Sequence, residues 1–271
     1  MEKTKIFTVS LSRNQERRYI LMEKTRIFTV IGLFLAIGLF MSISPAVCSS
    51  SGGDQIECRM AIRMHIPSVD PINQSNNWEY VVAVNVYDTL VRPDPSPEIL
   101  VKPWIAKSWE ISDDARTYTF HLGEGVKFHD GSEVTAEDVA FSMDRQQTLG
   151  GTISSYFKAI KPGTTEVIDR YTVAFHLEKP DPSFLASLLI FKILNKDQIL
   201  RHKEPGKYGE FGDYGVKWIN THDAGSGPYR VAKRIHGDRL VLERFKDYSL
   251  RKWKPNSITG SLFILHQNLL P

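Results

Sequence analysis

Cysteine is scarce in this chain. Its 271 residues hold two, Cys48 and Cys58, and a lone pair ten residues apart does not make a zinc site. Long apolar runs are lacking too. The one extended apolar stretch, 27–41, is shorter than the roughly 20 residues of a membrane span. Basic charge is missing where a nucleic-acid surface would need it. The formal net charge is +3, but residues 1–48 carry seven Lys/Arg against three Asp/Glu, so residues 49–271 are close to neutral. No basic stripe with interleaved aromatics occurs, and nucleic acid is not an expected partner. Catalytic signatures are absent: no G-x-S-x-G elbow, no H-E-x-x-H, no phosphate-binding G-x-x-x-x-G-K. His129-Asp130 has the look of half a triad but falls in a turn. His121 and His176 occupy strand positions, and a metal site built from His121, His129 and His176 is set aside. Asp113-Asp114 reads as a turn. The reading expects no catalytic residue, no metal and no cofactor.

The most informative segment is Val101 to Arg145, VKPWIAKSWEISDDARTYTFHLGEGVKFHDGSEVTAEDVAFSMDR. Tyr118, Phe120 and Leu122 alternate with Thr117, Thr119 and His121, which predicts a strand with one buried face. Val126–Phe128 starts a second extended run, and His129-Asp130-Gly131 supplies a turn. Thr135-Ala136-Glu137-Asp138 resembles a capping box with Asp in place of Glu, followed by a helix with Val139, Ala140, Phe141 and Met143 on its apolar side. Nothing in the block needs a catalyst to explain it.

At the N-terminus, MEKTKIFTV (1–9) recurs as MEKTRIFTV (22–30). Residues 1–21 are read as an upstream extension, with the working start at Met22. Residues 22–48 then read as a signal peptide: Lys24 and Arg26, an apolar core, and small residues after it. Two outcomes stay open for Cys48. It is lipidated, giving a membrane anchor, or ordinary signal peptidase cleaves after Ala46 or Cys48. With Cys48 so anchored, Cys58 is a lone thiol, read as a small buried hydrophobe.

Farther along, Met60–Ile66 is expected to be the first strand, and Trp78–Leu90 a helix ending near Asp88 and Thr89. Pro93, Pro95 and Pro97 forbid regular structure before the block. Ser154–Ile160 reads as a helical piece and Tyr171–Leu177 as a strand. Asp181-Pro182 opens a helix to about Phe191, and Asn195 caps Lys196–Arg201. Gly225-Ser226-Gly227-Pro228 is a sharp loop. Tyr229–Ile235 and Leu240–Arg244 form a hairpin around His236-Gly237-Asp238.

Four ordered segments resemble the family 5 extracytoplasmic solute-binding proteins, the peptide-binding components of ABC importers. They are SVDP at Ser68 with NVYDTL at Asn85; KPWIAKSWE and KFHDG-x-x-VTAEDV; VIDRYTVAFHLEKPDPSFLASL from Val167; and GSGPYRV with GDRLVLER and the aromatics Tyr248 and Trp253. Each is weak alone, and the ordered set is specific. The resemblance implies an α+β / α/β, periplasmic-binding-protein-like fold of the type II, peptide-binding class. Residues 49–85 and 185–271 would form lobe I, with an inserted α+β domain at 86–184. The second lobe would be missing, and the tail 257–271 loses the family pattern.

The implied function is capture of a small solute, by default a peptide, outside the cytoplasm and its delivery to ABC permease transmembrane subunits. Members close two lobes on the solute. A micromolar complex is worth about 8 kcal/mol, so a chain supplying half the grip is expected to bind at roughly millimolar or weaker. Ligand-facing candidates are Ser75, Asn76, Asn77 and Trp78, with Tyr156 from the inserted domain. The plain alternative is a surface loop with one Trp packed into the core. A non-binding fragment and a secreted hydrolase are the competing functional readings.

Overall fold

The computed structural model describes residues 46–50, 56–62, 66–94, 101–250 and 262–267. Among these, a five-stranded and a four-stranded sheet, a two-stranded pair and two hydrophobic cores organise the chain. The first core forms around β5 (Ala106–Ile111), β6 (Thr117–Leu122), β7 (Thr165–Asp169) and β8 (Thr172–His176), an antiparallel sheet in the order β5-β6-β8-β7. On β6 the predicted alternation holds: Tyr118, Phe120 and Leu122 are buried and the intervening residues are half-buried. Phe120 meets Phe175 edge-on at 5.7 Å, and Phe175 meets Phe184 at 5.5 Å. Such pairs add to the area they bury, because the positive ring edge faces the negative ring face.

The helix α2 (Ala136–Leu149) lies between the two cores. Val139 and Met143 belong to the first, Phe141 to the second. Its cap is the one read from the sequence. Asp138 Oδ2 accepts from the Thr135 amide (2.9 Å) and hydroxyl (2.8 Å), while Oδ1 accepts from the Lys196 amide at 2.9 Å. One carboxylate therefore starts α2 and holds the first turn of α4 (Lys196–Arg201), which Asn195 caps.

The second core lies against a five-stranded sheet, β1-β2-β11-β10-β9, built from β1 (Ala46–Ser50), β2 (Ile56–Ile62), β9 (Tyr229–Ile235), β10 (Arg239–Arg244) and β11 (Leu262–Gln267). β11 runs parallel to β2, and the other pairings are antiparallel. The helix α1 (Asn77–Val86) contributes Val82 and Val86. Arg145, fully buried on α2, ties the cores together. Its guanidinium donates to Asp70 in a bidentate pair (3.0 and 2.6 Å), and its Nε donates to the Tyr214 carbonyl at 2.9 Å.

Several expectations differ from the structure. The early strand is Ile56–Ile62 rather than Met60–Ile66, and β1 begins within the segment read as a leader. The helix expected over Asp181–Phe191 is a single turn, α3 (Phe184–Ser187). Its N-cap is Ser183 rather than Asp181, whose carboxylate accepts from the Ser183 amide at 2.9 Å in the turn before the helix. It stops because the following chain is pulled straight: Ile193 donates to the Asp88 carbonyl and Asn195 to the Ala224 carbonyl. Val126–Phe128 contributes one bridge, Lys127 to Glu133. The proline-rich segment is not wholly irregular, since β3 (Val91–Pro93) pairs with β4 (Val101–Pro103). The patternless tail contains β11, whose continuous apolar run suits a strand inside a sheet better than alternation would.

Cys58 is buried and disulfide-bonded, not a thiol. The β1–β2 ladder sets Cys48, the chain's other cysteine, directly opposite it. Spacing alone did not reveal this, because the hairpin register creates the opposition.

Candidate functional site

The C-terminal end of α1 delivers Tyr87, Asp88 and Thr89 to a junction of four segments. The Gly225-Ser226-Gly227 loop packs on the last turn of α1, and Gly227 donates to the Val86 carbonyl at 2.9 Å. Glycine is required here. A Cβ on Gly225 would lie 2.0 Å from the Val86 oxygen, and one on Gly227 would lie 2.6 Å from the Asn85 oxygen. The close approach lets Ser226 Oγ donate to Asp88 Oδ2 at 3.1 Å. Trp104 Nε1 (2.8 Å) and Tyr248 Oη (3.1 Å) both donate to Asp88 Oδ1. Burial pushes the Asp88 carboxyl above its ordinary range, against the downward pull of these three donors. Burial and the adjacent Asp88 push the Tyr248 hydroxyl up.

Asp88 lies in the wall of a cavity of about 990 Å³. Tyr80 and Val84 from α1, Trp104 after β4, Tyr156, and Leu189 and Ile190 after α3 supply much of its apolar surface. Tyr80, Val84 and Tyr156 stay exposed at its rim. Lys192, in the same wall, is only 6% exposed. Burial lowers its pKa to about 8, with Asp88 pulling the other way. Arg92 stacks its guanidinium 4.3 Å from the centre of the Trp104 ring, and its Nε is buried without an acceptor. Lys102 is paired with Asp94 at 3.2 Å.

The sequence-derived candidates separate into two places. Tyr156 lines the cavity. Ser75, Asn76, Asn77 and Trp78 cluster at the other end of α1, which at 1.5 Å per residue is about 15 Å long, and do not line it. Ser75 donates through its amide and hydroxyl to Glu79 Oε2 (2.8 and 2.6 Å). Asn76 is the N-cap, accepting from the Trp78 and Glu79 amides. Asn77 is exposed, and Trp78 is half-buried against the second core. Asp88, Arg92, Trp104 and Lys192 were not singled out from sequence. One signal for Lys192 existed: it is the lone charge in Leu188–Leu194, SLLIFKIL with its preceding Ser.

His129 does not make a catalytic base. Its Nδ1 contacts Asp223, its Nε2 meets the Gly227 carbonyl at 2.9 Å, and Phe245 packs on its ring. Both nitrogens are thus committed. His121 and His176 sit on β6 and β8 beside Glu110 and Glu166, respectively. Among the described residues no group of three or more His, Cys, Asp or Glu could hold a metal ion.

Comparison with known proteins places this geometry. The pattern of the bacterial extracellular solute-binding proteins, family 5 (middle), matches residues 101–262. The chain belongs to this family. The glutathione-binding protein GsiB of Escherichia coli O1:K1 / APEC is 27% identical over 220 residues, covering 79% of this chain and 39% of that protein. The dipeptide-binding protein of E. coli K12 is 32% identical over 172 residues, covering 55% and 30%. The periplasmic binding protein DppA of Helicobacter pylori, solved with the peptide STSA, superposes with a TM-score of 0.61 at 27% identity, covering 79% of this chain and 43% of that one. NikZ of Campylobacter jejuni, solved with Ni(L-His), gives 0.62 at 26% identity over 77% and 38%. The fold is the type II periplasmic-binding-protein fold, and the chain spans 30–43% of the length of these proteins.

Proposed function

We propose that this chain is the solute-capturing component of an ABC importer, taking up a peptide or a related small solute outside the cytoplasm and presenting it to the permease subunits. The observation that carries this reading is the 990 Å³ cavity in a family 5 fold, with aromatic walls and a few buried polar groups. That composition is typical of small-molecule sites. Relatives named for glutathione and for dipeptides support a peptide-class solute. No catalytic role is proposed.

Within this reading 49–85 and 185–271 form the first lobe and 86–184 the inserted domain. Tyr156 and the cavity wall meet the solute. Ser75, Asn76, Asn77 and Trp78 stay candidates for contact at the far end of α1. The leader at 22–48 carries the chain across the cytoplasmic membrane, and a disulfide at Cys58 suits the oxidising space outside it. A lipid thioether on Cys48 and a disulfide between Cys48 and Cys58 exclude one another chemically. No helix of the described residues is long and apolar enough to cross a membrane.

Binding is tested by titrating the purified chain with Ala-Phe and with glutathione, followed by NMR. Saturable shifts at the Trp104 indole, with a Kd of roughly a millimolar, are expected. No shift with either compound at tens of millimolar would defeat the proposal for this chain.

A further inference from the structure

Resting on that reading of the cavity, we propose that it selects solutes bearing a carboxylate, held by Lys192 with Arg92 adding a second positive charge. Four charged side chains line the cavity: Asp88, Arg92, Lys102 and Lys192. They are not equivalent. Lys102 is matched by Asp94. Asp88 already accepts from Trp104, Tyr248 and Ser226. That leaves two cations. Lys192 is 6% exposed, and the charge acting on its ammonium is the Asp88 carboxylate, already engaged by three donors. Arg92 lies over the Trp104 ring with its Nε lacking an acceptor.

Largely buried cations with few acceptors are costly, since buried charges are ordinarily paired, and Arg92 Nε has no acceptor at all. The missing partner must be an anion that fits between apolar walls. Tyr80, Val84, Leu189 and Ile190 lower the local dielectric, which strengthens attraction to such an anion. A solute amine has no comparable place, because Asp88 is already engaged by three protein donors. The matching solute thus joins a carboxylate to an apolar or aromatic body. Two sources share that chemistry, the C-terminal carboxylate of a peptide and an acidic side chain.

Three probes separate them: Ala-Phe, its C-terminal amide, and Ala-Glu amide, each titrated into the full chain. The readout is the indole N–H of Trp104 in 1H–15N spectra, assigned with Trp104→Phe. Ala-Phe is expected to bind at least about tenfold more tightly than its amide. Ala-Glu amide binding like Ala-Phe assigns the pocket to any carboxylate, and binding like the neutral amide assigns it to chain termini. In Lys192→Met, Ala-Phe falls to the affinity of its amide, while Lys192→Arg keeps the preference. Dispersed spectra of both variants establish that they are folded. Equal binding of acid and amide by the native chain, or an undiminished preference in Lys192→Met, overturns the inference and leaves solute capture standing. Absence of binding by all three probes overturns both.

Discussion

Asp70 shows how one residue can organise a molecule of this size. Its carboxylate takes both ends of the Arg145 fork and also the Ile72 amide at 3.2 Å. Both partners are essentially excluded from water. Such a pair contributes little relative to a well-packed apolar replacement, but removing one partner strands the other charge. Asp70→Ala is therefore expected to cost about 3–5 kcal/mol in urea unfolding. A loss below 1 kcal/mol would mean that solvent reaches Arg145. Lys192 behaves in the opposite sense. Its native pKa is about 8, against 10.5 for an ordinary lysine. Between those values the unfolded chain binds more protons than the folded one, so stability rises as pH increases through the window. Below about pH 8 the buried charge is carried at a cost on the order of 3 kcal/mol. Lys192→Met should be more stable than the native chain at pH 7, and the gap should narrow by pH 9.5. Urea midpoints at the two pH values check this, and a gap independent of pH would refute it.

At the scale of elements, the decisive contacts are those where backbones touch. The loop 225–227 can reach the end of α1 only because both glycines lack a Cβ. In Gly225→Ala the added carbon would meet a fixed carbonyl oxygen rather than a side chain able to swing away. A destabilisation of about 3 kcal/mol is expected. A weakened Trp104 indole hydrogen bond to Asp88 is expected with it, read as an upfield shift of that N–H. Cys58 is disulfide-bonded, and the β1–β2 register sets it opposite Cys48. Closing a loop of about ten residues stabilises by roughly 3 kcal/mol on the chain-entropy account. Dithiothreitol should lower the unfolding midpoint accordingly, and non-reducing mass spectrometry of the exported chain should show Cys48 and Cys58 joined and free of lipid. Much at this scale was legible in the sequence: the β6 alternation, the Thr135–Asp138 cap, the Asn195 cap and the β9–β10 hairpin. Each depends on residues within a few positions of one another. The helix expected after Asp181 was not legible, because its shortness comes from hydrogen bonds to Asp88 and Ala224, far off in the chain.

For the whole molecule, α2 is the common wall of two cores. The site candidates fell in two places. Tyr156, named from the resemblance, lies in a short helical piece that lines the cavity. Ser75 to Trp78 were named from a loop, and the fold assigns Ser75 and Asn76 hydrogen bonds at the start of α1. What the amino-acid order determined by itself is the family and most of the elements, since alternation, caps and turns are local in origin and the four motifs keep their order. What only the tertiary structure decided is the polar interior of the cavity. Asp88, Trp104, Lys192 and Tyr248 come from four separate stretches of chain. Their protonation and partners follow from shared burial, a property that no single stretch possesses.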